Sequence, residues 1–146
     1  MKIERIGVVG SGSMGSGIAQ VFAQAGFAVV MTDLYRQQLD TGLAEIGRSL
    51  GRLVSAEHRD EIVSRIVTSL DMDALRDCQL VIESVTEDAT TKKDVLVQLD
   101  KIVDSEAVLV TTASLVSVTE LAAVTRQPSR VIGMHCFFPA PVVRVI

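Results

Sequence analysis

Runs of four or five branched apolar residues alternate along this chain with longer stretches whose apolar positions recur every three or four residues. The first run, "IGVVG", has the near-continuous hydrophobicity of a strand buried on both faces. A glycine-rich turn follows, then "GIAQVFAQAG", helical in period and closed by Gly26. "AVVMTDL" predicts a second strand. From Arg36 to about Ile66 the chain is charged, with Leu39, Leu43, Ile46, Leu50 and Leu53 at helical spacing. That stretch exceeds one crossover helix and predicts two, broken around "SAEH". "IVTSL" and "LVIESV" predict strands three and four, with the short helix "MDALRDC" between them. "KKDVLVQLDKIV" follows as an amphipathic helix, "AVLVTT" as a fifth strand, "VTELAAVT" as a helix and "RVIGMHC" as a sixth strand carrying His135. Strands alternating with helices predict an α/β fold: one doubly wound, mainly parallel sheet over residues 1–146, with a helix-pair insertion after strand two.

The turn after the first strand supplies the first chemistry. "VVGSGSMGSG" sets Gly10, Gly12 and Gly15 in G-x-G-x-x-G spacing, with Ser13 and Met14 between them. Glycine-rich turns are common, so the spacing alone says little. Between a strand and a helix, however, it aims backbone N–H groups and the positive helix end at a pyrophosphate. Gly10 permits the tight turn, Gly12 lets phosphate approach and Gly15 lets helix and strand pack closely. Asp33, about twenty residues on at the end of the second strand, is placed to accept hydrogen bonds from adenosine ribose hydroxyls. Strand, loop, helix and acid together predict a Rossmann-type dinucleotide site. A carboxylate there repels a 2′-phosphate, which favours NAD over NADP, with Arg36 as the nearby group that argues the other way.

Composition narrows the partners. Apolar residues make up 48% of the 146 and aromatics 3%, so the core must be aliphatic. The net charge of −4 argues against nucleic acid or an anionic membrane surface as the main partner. Cys78 and Cys136 lie far apart with no histidine or cysteine at ligand spacing, which predicts free thiols and no metal site. The apolar runs fall short of a membrane span, and "MKIERIGVV" lacks a signal-peptide core, so a soluble cytoplasmic protein is expected.

Polar residues then gather at the C-terminal ends of strands, where open α/β sheets bind ligands. Strand four ends in Glu83 and Glu87, followed by Lys92 and Lys93; strand five ends in Thr111, Thr112 and Ser114; strand six carries His135. Each has a plainer reading. The glutamates suit a solvated strand end, the lysines an exposed first helical turn, Ser114 a helix N-cap and His135 a core position bonded to a carbonyl. Their convergence beside a nicotinamide favours chemistry, since a dehydrogenase needs one group of near-neutral pKa to take the alcohol proton.

In this order and spacing, from "IGVVGSGSMGSGIAQVFAQAGFAVVMTDL" through "VIESVTED" and "KKDVLVQLDKIV" to "VIGMHCFFPAPVVRVI", the chain resembles the NAD-binding domain of the 3-hydroxyacyl-CoA dehydrogenases, including the bacterial 3-hydroxybutyryl-CoA enzymes. The resemblance covers its whole length. It implies NAD-dependent oxidation of an (S)-3-hydroxyacyl-CoA to the 3-oxoacyl-CoA, in fatty-acid β-oxidation. It implies that His135 removes the 3-hydroxyl proton and that Ser114 hydrogen-bonds the substrate oxygen beside the nicotinamide. Glu87 and Lys92 match a cofactor-side glutamate and lysine, and Ser49, in the loosely aligned helix pair, a CoA-contacting serine. Thr112, Leu115 and Phe138 depart from the family pattern, standing where it has asparagine, serine and asparagine.

The resemblance further implies a glutamate that orients the histidine, at a position one residue past Ile146, and a helical C-terminal domain that closes the substrate cleft and forms a homodimer. The chain is therefore expected to be the N-terminal part of a longer stand-alone enzyme, nearly inactive alone. The rival readings are a dehydrogenase of a CoA-free hydroxy acid, of gulonate or carnitine type, and a non-catalytic nucleotide-binding module.

Overall fold

The computed structural model describes residues 2–143. Six strands form one sheet in the order β3-β2-β1-β4-β5-β6, and every neighbouring pair is parallel. The strands are β1 (Arg5–Val9), β2 (Ala28–Thr32), β3 (Ile66–Ser69), β4 (Leu80–Glu83), β5 (Val108–Thr111) and β6 (Val131–Gly133). This is the doubly wound order, with its topological switch point between β1 and β4, where ligands bind beyond the strands' C-terminal ends.

The helices are α1 (Ser13–Gln24), α2 (Arg36–Leu50), α3 (Ala56–Ser64), α4 (Ala89–Ile102) and α5 (Val118–Ala122). The charged stretch after β2 is the expected helix pair: α2 stops at Leu50, and Ser55 caps α3 by accepting from the His58 N–H. Gly26 closes the α1 turn at φ +94°, as its place after the helix predicts. Two aliphatic clusters cover the two sheet faces. One is built on Ile6, Val8, Ile18, Val29, Met31 and Ile82 under α1–α3; the other is built on Val9, Val81, Leu96, Leu99, Leu109 and Leu121 under α4 and α5. Both cysteines are free thiols, and burial pushes that of buried Cys78 up to about 11. Among the described residues no helix is long and apolar enough to cross a membrane.

Three expectations need correction. "MDALRDC" forms only a 3₁₀ turn, Met72–Leu75. Asp33 lies one residue past β2 instead of on it. Strand six is also shorter than its apolar pattern suggests, so His135 sits two residues beyond its end. The reason is that β5 stops at Thr111, whose carbonyl takes the last ladder bond from the Met134 N–H at 2.9 Å.

Candidate active site

The glycine loop is shaped by close backbone approaches. Gly10 has φ +97°, and a Cβ there would meet the Ser84 carbonyl oxygen at 2.5 Å. A Cβ on Gly15 would overlap the Gly10 carbonyl oxygen, whereas Gly12 opens on free space. Gly12 is also the N-cap of α1, with no side-chain cap bond and no acidic residue in the first turn. The helix thus starts with exposed donors and a positive end, the arrangement that binds phosphate.

Asp33 has a structural duty as well as a free face. Its Oδ2 accepts from both the N–H and the Oγ–H of Ser11, each at 2.8 Å, which ties the glycine loop to the end of β2. Its Oδ1 takes only a 3.4 Å bond from the Tyr35 N–H. A cavity of about 550 Å³ runs from Gly10 and Gly12 past Asp33, Tyr35 and Met72 to Val95. Thr32, 1% exposed, lines it with an Oγ1 that has no hydrogen-bond partner among the described residues. A cradle that admits no Cβ at Gly10 or Gly15 and stays open at Gly12, an uncapped helix start and a carboxylate with acceptor capacity to spare fit a dinucleotide. The Arg36 guanidinium donates to Thr68 Oγ1 on β3 at 3.3 Å.

A second, smaller cavity of about 220 Å³ lies on the other side of Ser84 and Val85, lined by Met14, Glu87, Thr112, Ser114, His135 and Cys136. The structure brings together here four residues singled out in the sequence. Ser114 Oγ lies 3.2 Å from His135 Nδ1, and the His135 ring meets Phe137 edge-on at 5.2 Å between centroids. Ser114 does not cap the following helix; Ser117 does, accepting from the Glu120 N–H. Glu87 Oε1 accepts the N–H groups of Ser114 (2.7 Å) and Leu115 (2.8 Å). Partial burial pushes the Glu87 carboxyl up, but those two N–H donors and the Lys92 ammonium outweigh it and hold the group below its usual range. Ser49 is not brought here: it lies on α2 and lines neither cavity. Leu115 and Phe138 are exposed, at 89% and 65%.

Two plain readings give way. Lys92 is not on an exposed turn, since both it and Glu83 have 0% side-chain exposure. The ammonium bonds both Glu83 oxygens at 2.9 and 3.2 Å and pairs with Glu87 Oε2 at 3.4 Å. Glu83 also accepts from Thr111 Oγ1 (2.6 Å) and the Val85 N–H (2.8 Å). The signal for this network was present in the sequence. Glu83 and Thr111 end two otherwise apolar strands and are partners in the β4–β5 register.

Sheet order, glycine cradle and carboxylate together define a dinucleotide-binding Rossmann domain. Residues 5–146 match the family model described as "3-hydroxyacyl-CoA dehydrogenase, NAD binding domain", and the chain belongs to that family. NAD is accordingly its cofactor. It is 39% identical over 149 residues to a 3-hydroxybutyryl-CoA dehydrogenase of Bradyrhizobium diazoefficiens, covering 99% of this chain and 51% of the relative. It is 41% identical over 150 residues to the enzyme of the same name from Mycobacterium tuberculosis, covering 99% and 52%. The crystal structure of (S)-3-hydroxybutyryl-CoA dehydrogenase from Ralstonia eutropha superimposes with a TM-score of 0.94 at 38% identity, over 97% of this chain and 52% of that one. The chain thus spans about half the length of the curated relatives it matches.

Proposed function

We propose that the protein carrying these residues oxidises (S)-3-hydroxyacyl-CoA to 3-oxoacyl-CoA with NAD, as a 3-hydroxybutyryl-CoA dehydrogenase-like enzyme. The observation that carries the reading is the 3.2 Å contact between Ser114 Oγ and His135 Nδ1 in a cavity that Met14 of the glycine-loop helix also lines. Gly10, Gly12, Ser13, Met14 and Gly15 hold the pyrophosphate side of the cofactor, Asp33 the adenosine ribose, and Glu87 with Ser114 border the nicotinamide side. NAD held there would supply the acceptor for the hydride on substrate C3.

The remaining charge on the substrate is a proton, which His135 takes. With the ring proton on Nε2, the lone pair of Nδ1, the nitrogen that faces Ser114 Oγ, is the one placed to accept the 3-hydroxyl proton. The Ser114 Oγ–H is then free to donate to the same substrate oxygen, holding it as it becomes a carbonyl. A histidine suits this step because its ordinary pKa lies near neutrality, so neither direction is blocked at physiological pH.

The same reading makes the protein a cytoplasmic homodimer acting in fatty-acid β-oxidation, with an acyl-CoA substrate whose CoA portion approaches the helix pair near Ser49. A helical C-terminal domain closing the cleft belongs to it; the relatives carry about as much chain again. The direct test compares, in the full-length protein, NADH oxidation driven by acetoacetyl-CoA with that driven by free 3-oxo acids. Turnover of the CoA thioester at least about tenfold above the free acids supports the reading. Equal or greater activity on free acids transfers the assignment to a CoA-free hydroxy acid, and no turnover of either leaves a nucleotide-binding module.

A further inference from the structure

The loop that carries Ser114 has no regular structure between β5 and α5, yet its backbone is pinned from Thr112 to Leu115. The Thr112 N–H bonds the Glu83 carbonyl (3.0 Å), and the Ala113 N–H bonds Thr111 Oγ1 (3.2 Å). The Ser114 and Leu115 N–H groups both end on Glu87 Oε1. Three consecutive donors, those of Ala113, Ser114 and Leu115, therefore terminate on one side-chain network, whose centre is the Lys92 ammonium between Glu83 and Glu87.

We infer that Lys92, fixed by Glu83 and Thr111, is a positioning residue for the Ser114–His135 pair and acts through Glu87. This rests on the reading of Ser114 and His135 given above. The lysine side chain has no exposed surface, so its influence on either cavity passes through the groups its ammonium bonds, chiefly the Glu87 carboxylate, with a longer bond to the Val85 carbonyl at 3.4 Å. Glu87, by contrast, is 33% exposed, and a carboxylate so placed would otherwise swing into water. Lys92 denies it that freedom, and Glu83 in turn denies it to Lys92, with both oxygens in use. A buried ion pair contributes little net stability compared with apolar side chains of similar volume. What it supplies here is a fixed carboxylate position, and through two N–H bonds a fixed Ser114 hydroxyl. Catalytic geometry is sensitive at this scale, since a misplacement of about 1 Å costs on the order of a hundredfold in rate.

The test uses the full-length protein and two readouts. With histidine ¹⁵N-labelled, the imidazole signals of His135 and of His58, an internal control on α3, are assigned by their loss in His135→Gln and His58→Gln protein. Lys92→Met is expected to shift the His135 tautomer ratio, leave His58 unchanged, and lower kcat at least about tenfold with NADH affinity within about threefold. Glu87→Ala should reproduce the tautomer shift and the loss in kcat, with weaker NADH binding besides because Glu87 borders the nicotinamide side, and in kcat the double variant should be no worse than about twofold below the poorer single one. If Lys92→Met fails to fold, Glu83→Gln/Lys92→Met removes the whole pair without leaving a charge and gives the same readouts.

A folded variant with the wild-type His135 spectrum and kcat overturns the inference, as do independent, multiplicative losses for Lys92 and Glu87. The tautomer readout needs no turnover. A spectral shift in a protein inactive toward acetoacetyl-CoA therefore supports the positioning role while rejecting the proposed reaction.

Discussion

Asp33→Ala separates the two duties of one carboxylate. Oδ2 holds the N–H and Oγ–H of Ser11, while Oδ1 has only a long bond to Tyr35 and borders the larger cavity. A hydrogen bond to a charged acceptor contributes about 1.5–3 kcal/mol. Losing one such bond to a ribose hydroxyl, at about 2 kcal/mol, weakens NADH binding by about 30-fold. Loss of the Ser11 tether costs stability separately, by about 1.5–3 kcal/mol for each bond to the charged oxygen, because Ser11 is 2% exposed and finds little water in compensation. The assay is a fluorescence titration of NADH and NADPH with thermal melting alongside. Wild-type protein should prefer NADH, and removing the carboxylate should narrow the preference by relieving repulsion of the 2′-phosphate. An Asp33→Ala protein that binds NADH within about threefold of wild type would refute the ribose assignment, whatever its melting temperature.

Other consequences follow from the same geometry. Gly15→Ala forces a Cβ into the Gly10 carbonyl, and since neither partner is a flexible side chain the cost should be about 2 kcal/mol or more, read by chemical denaturation. Asp100 is buried against Arg130 (2.6 Å) and Arg126; burial pushes its carboxyl up, but the Arg126 N–H and both guanidinium groups hold it below the usual range. Asp100→Ala leaves Arg130, 7% exposed, without its carboxylate and should destabilise by about 3 kcal/mol in the same experiment. The Glu87 value is depressed too, so its contribution is complete above the ordinary carboxylate value of 4.5 and lost as pH falls through the lower folded value. Hydrogen exchange at the Ser114 and Leu115 amides, corrected for intrinsic pH dependence, should therefore lose protection only in acid below 4.5.

Features set by local backbone demands were legible in the sequence. The glycine cradle and the α1 start follow from the glycine spacing once it is set between a strand and a helix, with Asp33 after the next strand, because a positive φ at Gly10 and a helix opening on it leave few alternatives. The helix pair was equally readable, with Ser55 marking the second start. The partnership of Ser114 and His135 was reached only through family order, since residues 21 positions apart are joined by the β5–β6 pairing and by no local rule. The Glu83–Lys92 pair was missed because lysine in a first helical turn is normally solvated. Only the packing of α4 over β4 and β5, after Asp88 caps the helix on Thr91, decides that this one is enclosed. The early end of β6 has the same origin, for a strand extends only as far as its neighbour.

The claim that His135 is the proton acceptor stands or falls on one comparison. Wild-type and His135→Gln full-length protein would be assayed for acetoacetyl-CoA-dependent NADH oxidation and, in parallel, for NADH affinity. A general base accounts for about 10²–10⁴-fold in rate, so the variant should lose turnover by that factor while binding NADH within about twofold of wild type. Turnover retained within about tenfold, with NADH binding intact, would contradict it.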